Sequence, residues 1–463
     1  MKNVLLIDFG STYTKLTAVD ITNERILGTA SAFTTVETDI CEGLTNGLKI
    51  LEEKIGKTEF FKCYACSSAA GGLRMVTSGL VPELTGEAAK LASLGAGAKA
   101  IGIYAFELTE DDVLEIKALS PDIFLLVGGT DGGNRDCILH NAKMLADILP
   151  EFPIVIAGNR TAAAEAKRIL KNSEVYVCPN VMPKFGVLNI EPTQKQIREI
   201  FLNRIIKAKG LSRVSGLLSD ILMPTPSAVL KAMELLSNGT KEEKGIGELV
   251  GIDVGGATTD IYSVADGMPE QMNTVYKGLP EPYAKRTVEG DIGMRYSVQG
   301  IVDSAGFDEI SKISGLSKER VSALVEHLKL HKDTVPNGDK ELEKLDFALS
   351  SCAVREAVRR HAGKISETYT MMGQTFVQEG KNLTHVNQIV VTGGSLIHTK
   401  ETEKIARFAY FSPDEPESLR PKNANVWVDR SYILAAMGLL SSYYPDAALR
   451  IMKKELEFHG DCQ

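Results

Sequence analysis

The sequence predicts an α/β protein built as two copies of one fold. Three observations carry this. Apolar strand-like runs alternate with segments of helical spacing over most of the chain. An acidic, glycine-rich hairpin occurs twice, as "VLLIDFGSTYTKLTAV" from Val4 to Val19 and as "LVGIDVGGATTDIYSV" from Leu249 to Val264. Two apolar strands, in "FLLVGG" and "IVVTGG", end in paired glycines.

Taken in order, "NVLLIDFG" and "YTKLTAVD" read as strands joined by a Gly-Ser turn, and "RILGTASAFTT" as a third strand. "EGLTNGLKILEEKIG" has helical spacing and stops on Gly56. Strands at "FFKCYACSS", "AIGIYAFEL", "DIFLLVGG" and "PIVIAG" then alternate with helices at "PELTGEAAKLASLGAGAK", "EDDVLEIKALS", "RDCILHNAKMLADIL" and "RTAAAEAKRILK". Prolines 179, 183, 192, 224 and 226 punctuate the next stretch, where "PTQKQIREIFLNRIIKAKG" is a helix and "NGTKEEKGIGE" a surface turn. The second half restarts with a hairpin. The spacing in "KLDFALSSCAVREAVRRHAGKISETYTMMGQTFVQEG" fits one long helix broken near Gly373. "QIVVTGGS", "ANVWVD" and "RSYILAAMGLLSSYY" close the pattern as strand, strand and helix. Laid over each other, the halves match "FLLVGG" with "IVVTGG" and "PIVIAGN" with "ANVWVD", with "CYACSSAAGG" a competing counterpart for the diglycine strand.

The expected domains are 1–171, an inserted or linker segment 172–244 with helices, 245–445, and a C-terminal tail 446–463. A length of 463 residues suits two or three domains, and 44% hydrophobic against 24% charged residues suits ordinary cores. A net charge of −8 argues against general nucleic-acid binding, which runs on phosphate neutralisation. No run approaches the roughly 18–20 apolar residues of a membrane span. The opening residues lack a secretory pattern, and seven scattered cysteines fit reduced thiols, so a cytoplasmic protein is expected. Cys63 and Cys66 form the one C-x-x-C pair, read as incidental thiols, and none of the seven histidines has metal-ligand spacing.

Each hairpin offers a ligand the same parts. A strand ends in Asp8, Gly10 lets the backbone come close, Ser11, Thr12 and Thr14 supply hydroxyls and amides, and Lys15 supplies a cation. The second has Asp253, Gly255, Gly256, Thr258, Thr259 and Asp260, with no cation. Facing each other, such loops clamp a polyphosphate, and their carboxylates hold Mg²⁺ through water. Asp-Gly and Gly-Gly are also plain turn signals, but two hairpins with Asp closing a strand and Gly two residues on favour the ligand. No G-x-x-x-x-G-K-[ST] loop is present. Gly393 and Gly394 suit close approach to a flat purine, and Ser395 either caps the next helix or touches the ligand.

The segment from Asp253 to Asp260 resembles the second phosphate motif of the actin, sugar kinase and heat-shock-chaperone ATPase superfamily. Asp8 to Lys15 resembles its first phosphate motif and Gly393-Gly394 its adenosine motif, in the superfamily's order. The resemblance implies two ribonuclease-H-like, actin-like ATPase domains flanking a nucleotide cleft that closes on Mg-ATP. More narrowly, "CSSAAGGLRMV", "LLVGGTDGGN", "DILMPTPSAVL", "RTVEGDIGMR" and "YILAAMGLL" are similar to the MutL/GlmL family of accessory proteins found with glutamate mutase. That family implies an ATP-dependent chaperone or reactivating factor for an adenosylcobalamin-dependent mutase, with cobalamin carried by the client.

The expected ATPase holds nucleotide through Gly10, Ser11, Thr12, Lys15, Gly255, Gly256, Thr258, Thr259, Gly393, Gly394 and Ser395. It holds Mg²⁺ through Asp8, Asp253 and Asp260, which are also the catalytic candidates. Asp253, Asp260, Glu289 and Asp291 stay open as the group orienting the attacking water. Two rivals use the same fold: a small-molecule kinase, and a non-enzymatic actin-like scaffold. "VGGTDGGN", Val127 to Asn134, is either a connecting loop or a second contact surface for nucleotide or partner. "RTVEGDIGMR" is either salt-linked surface charge or a group near the γ-phosphate.

Overall fold

Nearly unbroken burial along Asn3–Phe9 (β1) and Tyr13–Asp20 (β2) marks strands covered on both faces. The computed structural model describes residues 2–10, 13–33, 40–68, 73–148, 150–208, 220–371 and 373–460. Within it the chain divides into two compact units. One comprises Met1–Ala232, Gly278–Pro280 and Ala435–Ile451, the other Met233–Lys277, Glu281–Leu434 and Met452–Gln463.

In the first unit β1 and β2 pair antiparallel, with Asp8 opposite Lys15. Arg25–Phe33 (β3) continues the meander, and Lys62–Ser67 (β4) lies parallel to β1 after the helix Ile40–Ile55. Five parallel strands follow: Leu73–Gly79 (β5), Ala98–Ala105 (β6), Ile123–Leu126 (β7), Ile154–Ile156 (β8) and Val175–Val177 (β9). They form their own sheet in the order β6-β5-β7-β8-β9. Helices Glu87–Gly95 and Glu191–Ala208 pack Ala88, Ala92, Ile197 and Ile200 on one side. Helices Glu110–Leu119, Asp136–Asp147 and Arg160–Ile169 pack Ile116, Ile138, Ala142 and Ala166 on the other. Asp220–Pro224 (β10) then returns to the first sheet beside β4, giving the order β10-β4-β1-β2-β3, and leads into the helix Thr225–Asn238. Part of the 172–244 stretch thus belongs to this unit, as β9, the helix Glu191–Ala208 and β10.

The second unit repeats the first sheet's plan. Leu249–Val254 (β11) and Thr259–Val264 (β12) form the hairpin, Thr274–Lys277 (β13) branches off, and Ala284–Glu289 (β14) extends the meander. Helices Val298–Ser314, Lys318–Leu330 and Lys340–His361 cover the sheet with Ile301, Val325, Leu349 and Val354. Asp339 caps the longest by accepting from the N–H groups of Glu341 and Leu342, and Arg359 and Arg360 sit in its last turn against the helix dipole. Lys364–Thr370 (β15) and Gly373–Glu379 (β16) form a hairpin that joins β13 as a three-stranded sheet. Gln388–Thr392 (β17), Asn425–Val428 (β18) and Glu457–His459 (β19) complete the order β14-β12-β11-β17-β18-β19. Segment 446–463 thus holds most of the helix Pro445–Glu455, and β19.

The doubled α/β plan is the two-domain α/β architecture that the sequence predicts. Two sequence readings need correction. The segment expected to continue as helix to Gly373 stops at His361 and becomes β15 and β16. Past Gly363, Ile365, Thr368, Thr370, Thr375 and Val377 bring the β-branched density that helices disfavour and strands accept. The match of "FLLVGG" with "IVVTGG" is also wrong. By sheet position the counterpart of β17 is β4, the "CYACSS" strand, and the counterpart of β18 is β10 rather than "PIVIAG". The strands of "FLLVGG" and "PIVIAG" are β7 and β8, inside the nested parallel sheet.

Candidate functional site

The first hairpin turns because Gly10 is glycine. Its N–H donates to the carbonyls of Asp8 and Tyr13 (both 3.1 Å), and a Cβ there would stand 2.5 Å from the Tyr13 oxygen. Asp8 at the strand end is buried, 7% exposed. The parallel register puts Cys66 of β4 beside it, and Cys66 Sγ donates to Asp8 Oδ1 at 3.5 Å. Thr225, first residue of its helix, donates Oγ1–H to the same oxygen at 2.5 Å. Burial, and next the neighbouring Asp8 charge, push the Cys66 thiol far up, so it is a neutral donor and not a nucleophile. Half-buried Lys15 lies across the hairpin from Asp8. Ser11 and Thr12 lie outside the described residues.

The second hairpin pairs Asp253 with Asp260 across its strands, and the parallel neighbour sets Thr392 beside Asp253. Like charges directly opposite are unfavourable, and a buried arginine offsets them. Arg286 on β14, 5% exposed, donates from Nε to Asp260 Oδ1 at 2.7 Å. Burial works against the guanidinium's charge, but Asp260 overrides it and the Arg286 pKa rises further. Thr258 Oγ1 donates to Asp260 Oδ2 at 3.5 Å. The turn is held from outside: Met294 donates to the Gly255 carbonyl (3.0 Å), Arg295 and Tyr296 to Gly256 (2.8 Å each), and Ser297 Oγ to Ala257 (2.7 Å). Gly256 is exposed, and the Thr259 hydroxyl is turned inward onto the Ile292 carbonyl at 3.0 Å.

Gly393 joins this group. Its φ is +96°, and a Cβ would meet the Val254 oxygen at 2.4 Å and Asp253 Oδ1 at 2.7 Å. Ser395 Oγ donates to the Val254 carbonyl at 3.1 Å, and the Cβ position of Gly394 faces open space. Asp253, the 255–258 turn and residues 393–395 are therefore one constellation. It offers a carboxylate, a glycine turn and a second glycine surface, the parts that phosphate and a flat ring require. Asp8, Gly10 and Lys15 are a separate constellation within the first unit.

The charged segment after the second hairpin is all ion-paired. Arg295 forks onto Asp346 (2.7 and 3.0 Å), and Arg360 bridges Glu289 and Asp291 (2.9 Å each). Burial raises the Glu289 carboxyl despite Arg360. Among the described residues no group of three or more His, Cys, Asp or Glu side chains is set to hold a metal. Nor is any helix long and apolar enough to cross a membrane. Cys66, Thr225 and the Arg286–Asp260 pairing are the contributors that sequence reasoning missed. Thr225 and Asp8 are 217 residues apart, and only β10 returning beside β4 brings them together.

A model of the MutL protein family matches residues 4–456. A curated relative, Protein MutL of Clostridium tetanomorphum, is 47% identical over 460 residues, covering 98% of this chain and 99% of that one. Among solved structures, the activator of the 2-hydroxyisocaproyl-CoA dehydratase from Clostridium difficile with bound ADPNP aligns over 99% of this chain and 100% of its own. Its identity is 9% and its TM-score 0.34. Gluconate kinase from Lactobacillus acidophilus covers 99% and 92%, at 11% identity and a TM-score of 0.36. Likenesses this weak carry no functional argument.

Proposed function

Because the chain belongs to the MutL protein family, we propose that it is an ATP-dependent chaperone or reactivating factor for an adenosylcobalamin-dependent mutase, glutamate mutase or a related aminomutase. One observation carries the nucleotide part of this reading. The same Asp-x-Gly hairpin stands on the same two strands of two sheets that share one order, each beside a parallel third strand. A turn signal used only for folding has no reason to recur with its carboxylate at the strand end both times.

In this reading Gly10, Ser11, Thr12, Lys15, Gly255, Gly256 and Thr258 serve the phosphates, and Gly393, Gly394 and Ser395 the adenosine; Thr259, expected with the first group, is buried and spends its hydroxyl on the Ile292 carbonyl instead. Asp8, Asp253 and Asp260 serve Mg²⁺ through its waters. One or two carboxylates plus phosphate oxygens are the usual company of that ion. Bound Mg-ATP supplies a phosphoryl group whose transfer is governed by positioning and charge stabilisation. The chain's own residues do the rest. Thr225 and Cys66 fix the Asp8 carboxylate, Arg286 fixes Asp260, and the glycine at 393 keeps the backbone clear of Asp253. Turnover is coupled to lobe opening and to release of damaged cobalamin from the client.

The test is ATP turnover by the full chain alone, with glutamate mutase carrying inactivated cobalamin, and with sugars or small acids. Turnover rises with the mutase only. Asp253→Asn keeps the fold and loses about 100-fold in turnover. Stimulation by a small metabolite instead supports the kinase reading and ends this one.

A further inference from the structure

The nested sheet of the first unit carries a feature that the ATP reading leaves unused. In sequence order its strands lie 2-1-3-4-5, with helices from the second, third and fourth strands on one face and from the first and fifth on the other. The chain therefore leaves the ends of β5 and β7 toward opposite faces. In such open parallel sheets ligands bind beyond the carboxyl ends of the strands at that switch point. Here the switch point is where "VGGTDGGN" begins.

The loop is built rather than slack. Asn159, fully buried, accepts from Gly132 N–H at 3.1 Å and donates to the carbonyls of Gly133 (3.1 Å) and Asn134 (3.0 Å). Asp131 accepts from Arg160 N–H and from Asn180 Nδ2, both 3.0 Å, with the Arg160 guanidinium 3.9 Å away, so its charge is spent inside the loop. Among the described residues no acceptor takes the N–H groups of Gly128, Gly129 and Thr130. Gly128 and Gly129 are buried and Thr130 is half-buried, so these donors lack a protein acceptor and have little access to water, and an anion is a partner that such a run of backbone N–H groups suits. On the adjoining strand the hydroxyls of Thr77 and Ser78 are fully buried and have no hydrogen-bond partner, and the Ser78 carbonyl accepts from Val127 N–H at 3.0 Å. Buried unpaired hydroxyls are costly and call for an explanation.

A second signal lies after β6, the neighbour of β5. Phe106 holds a left-handed backbone (φ +66°), rare for a non-glycine residue, with its ring 60% exposed. Buried Asn141 fixes it, donating to the Phe106 carbonyl at 3.0 Å and accepting from Leu108 N–H at 2.8 Å. Asn141 belongs to the helix Asp136–Asp147, which starts directly after the glycine loop, so loop and aromatic ring share one end of the sheet. We propose that this end binds a phosphate monoester bearing a flat ring, of the mononucleotide class, with its phosphate on the Gly128–Thr130 amides and its ring on Phe106. The site is independent of the two Asp-x-Gly hairpins.

Titrating the full chain with FMN and with AMP, in saturating Mg-ATP, tests this; FMN fluorescence reads the site whether or not ATP is turned over. At least one probe binds saturably, and riboflavin, which lacks the phosphate, binds about tenfold or more weaker than FMN if FMN is that probe. Phe106→Asn, whose side chain tolerates the left-handed backbone, weakens binding about tenfold while ATP turnover is unchanged. Ser78→Ala weakens it too, without lowering the melting temperature of the free protein. No saturation by either probe up to millimolar concentration overturns the proposal, as does binding unchanged in both variants.

Discussion

The two hairpins share a backbone device and differ in what surrounds their carboxylates. Asp8 is held by two neutral donors, a threonine and a thiol, with a lysine across the strand pair. Asp253 faces a second carboxylate, and a buried guanidinium balances the pair. The same turn is thus stabilised by hydrogen bonds in one unit and by buried charge in the other. Removing one partner of a buried ion pair leaves an uncompensated charge, whereas losing a neutral donor does not. The second hairpin should therefore be the brittle one and the first the adjustable one.

Arg286→Leu tests that contrast hardest. Stranding Asp260 costs about 3–5 kcal/mol in denaturant unfolding followed by Trp427, the chain's single tryptophan. Pairing it with Asp260→Leu recovers most of the loss; a single-variant cost near zero would break the comparison. Gly393→Ala comes next, at about 1–3 kcal/mol for a left-handed backbone plus the clash with Asp253, and ATP turnover falls with it. Thr225→Val removes one bond to a carboxylate that keeps Cys66, so about 1–2 kcal/mol is expected. A larger loss from Thr225→Val than from Arg286→Leu would invert the contrast.

The smallest effect is a pH dependence. His361 is fully buried beside Ser263 and Thr287, and burial, with the Lys285 and Lys381 charges, holds its imidazole well below 6.5. In the unfolded chain it takes up a proton that the folded chain refuses. Its contribution is complete above pH 6.5 and is lost as pH falls from there toward the folded value. Trp427 fluorescence should show the second unit melting earlier on that acid side, and His361→Gln should flatten the slope.

Much of this was legible in one dimension. The hairpins announce themselves through Asp, Gly and flanking apolar runs, and the strand-helix alternation gave nearly every element of the nested sheet. Segment 364–379 was misread because the strong helical spacing up to His361 was extended past Gly363 into residues that favour strands. The false match of Gly128-Gly129 with Gly393-Gly394 has a deeper cause. Spacing along the chain does not encode which strand lies beside which, and an inserted sheet can imitate a repeat. Cys66 and Thr225 were invisible at Asp8 for the same reason, since their meeting depends on sheet order.

That insertion also governs the timetable of synthesis. Tyr64 and Asp220 are partners, yet the whole inner sheet is translated between them. Its strands pair with partners much nearer in sequence than β4 and β10 are, so they close shorter loops and are complete in the chain before the outer strand that follows them is made. A nascent chain stopped short of residue 220 would present a finished inner module beside an outer sheet whose β4 edge is bare, an aggregation-prone intermediate that only the last strand seals.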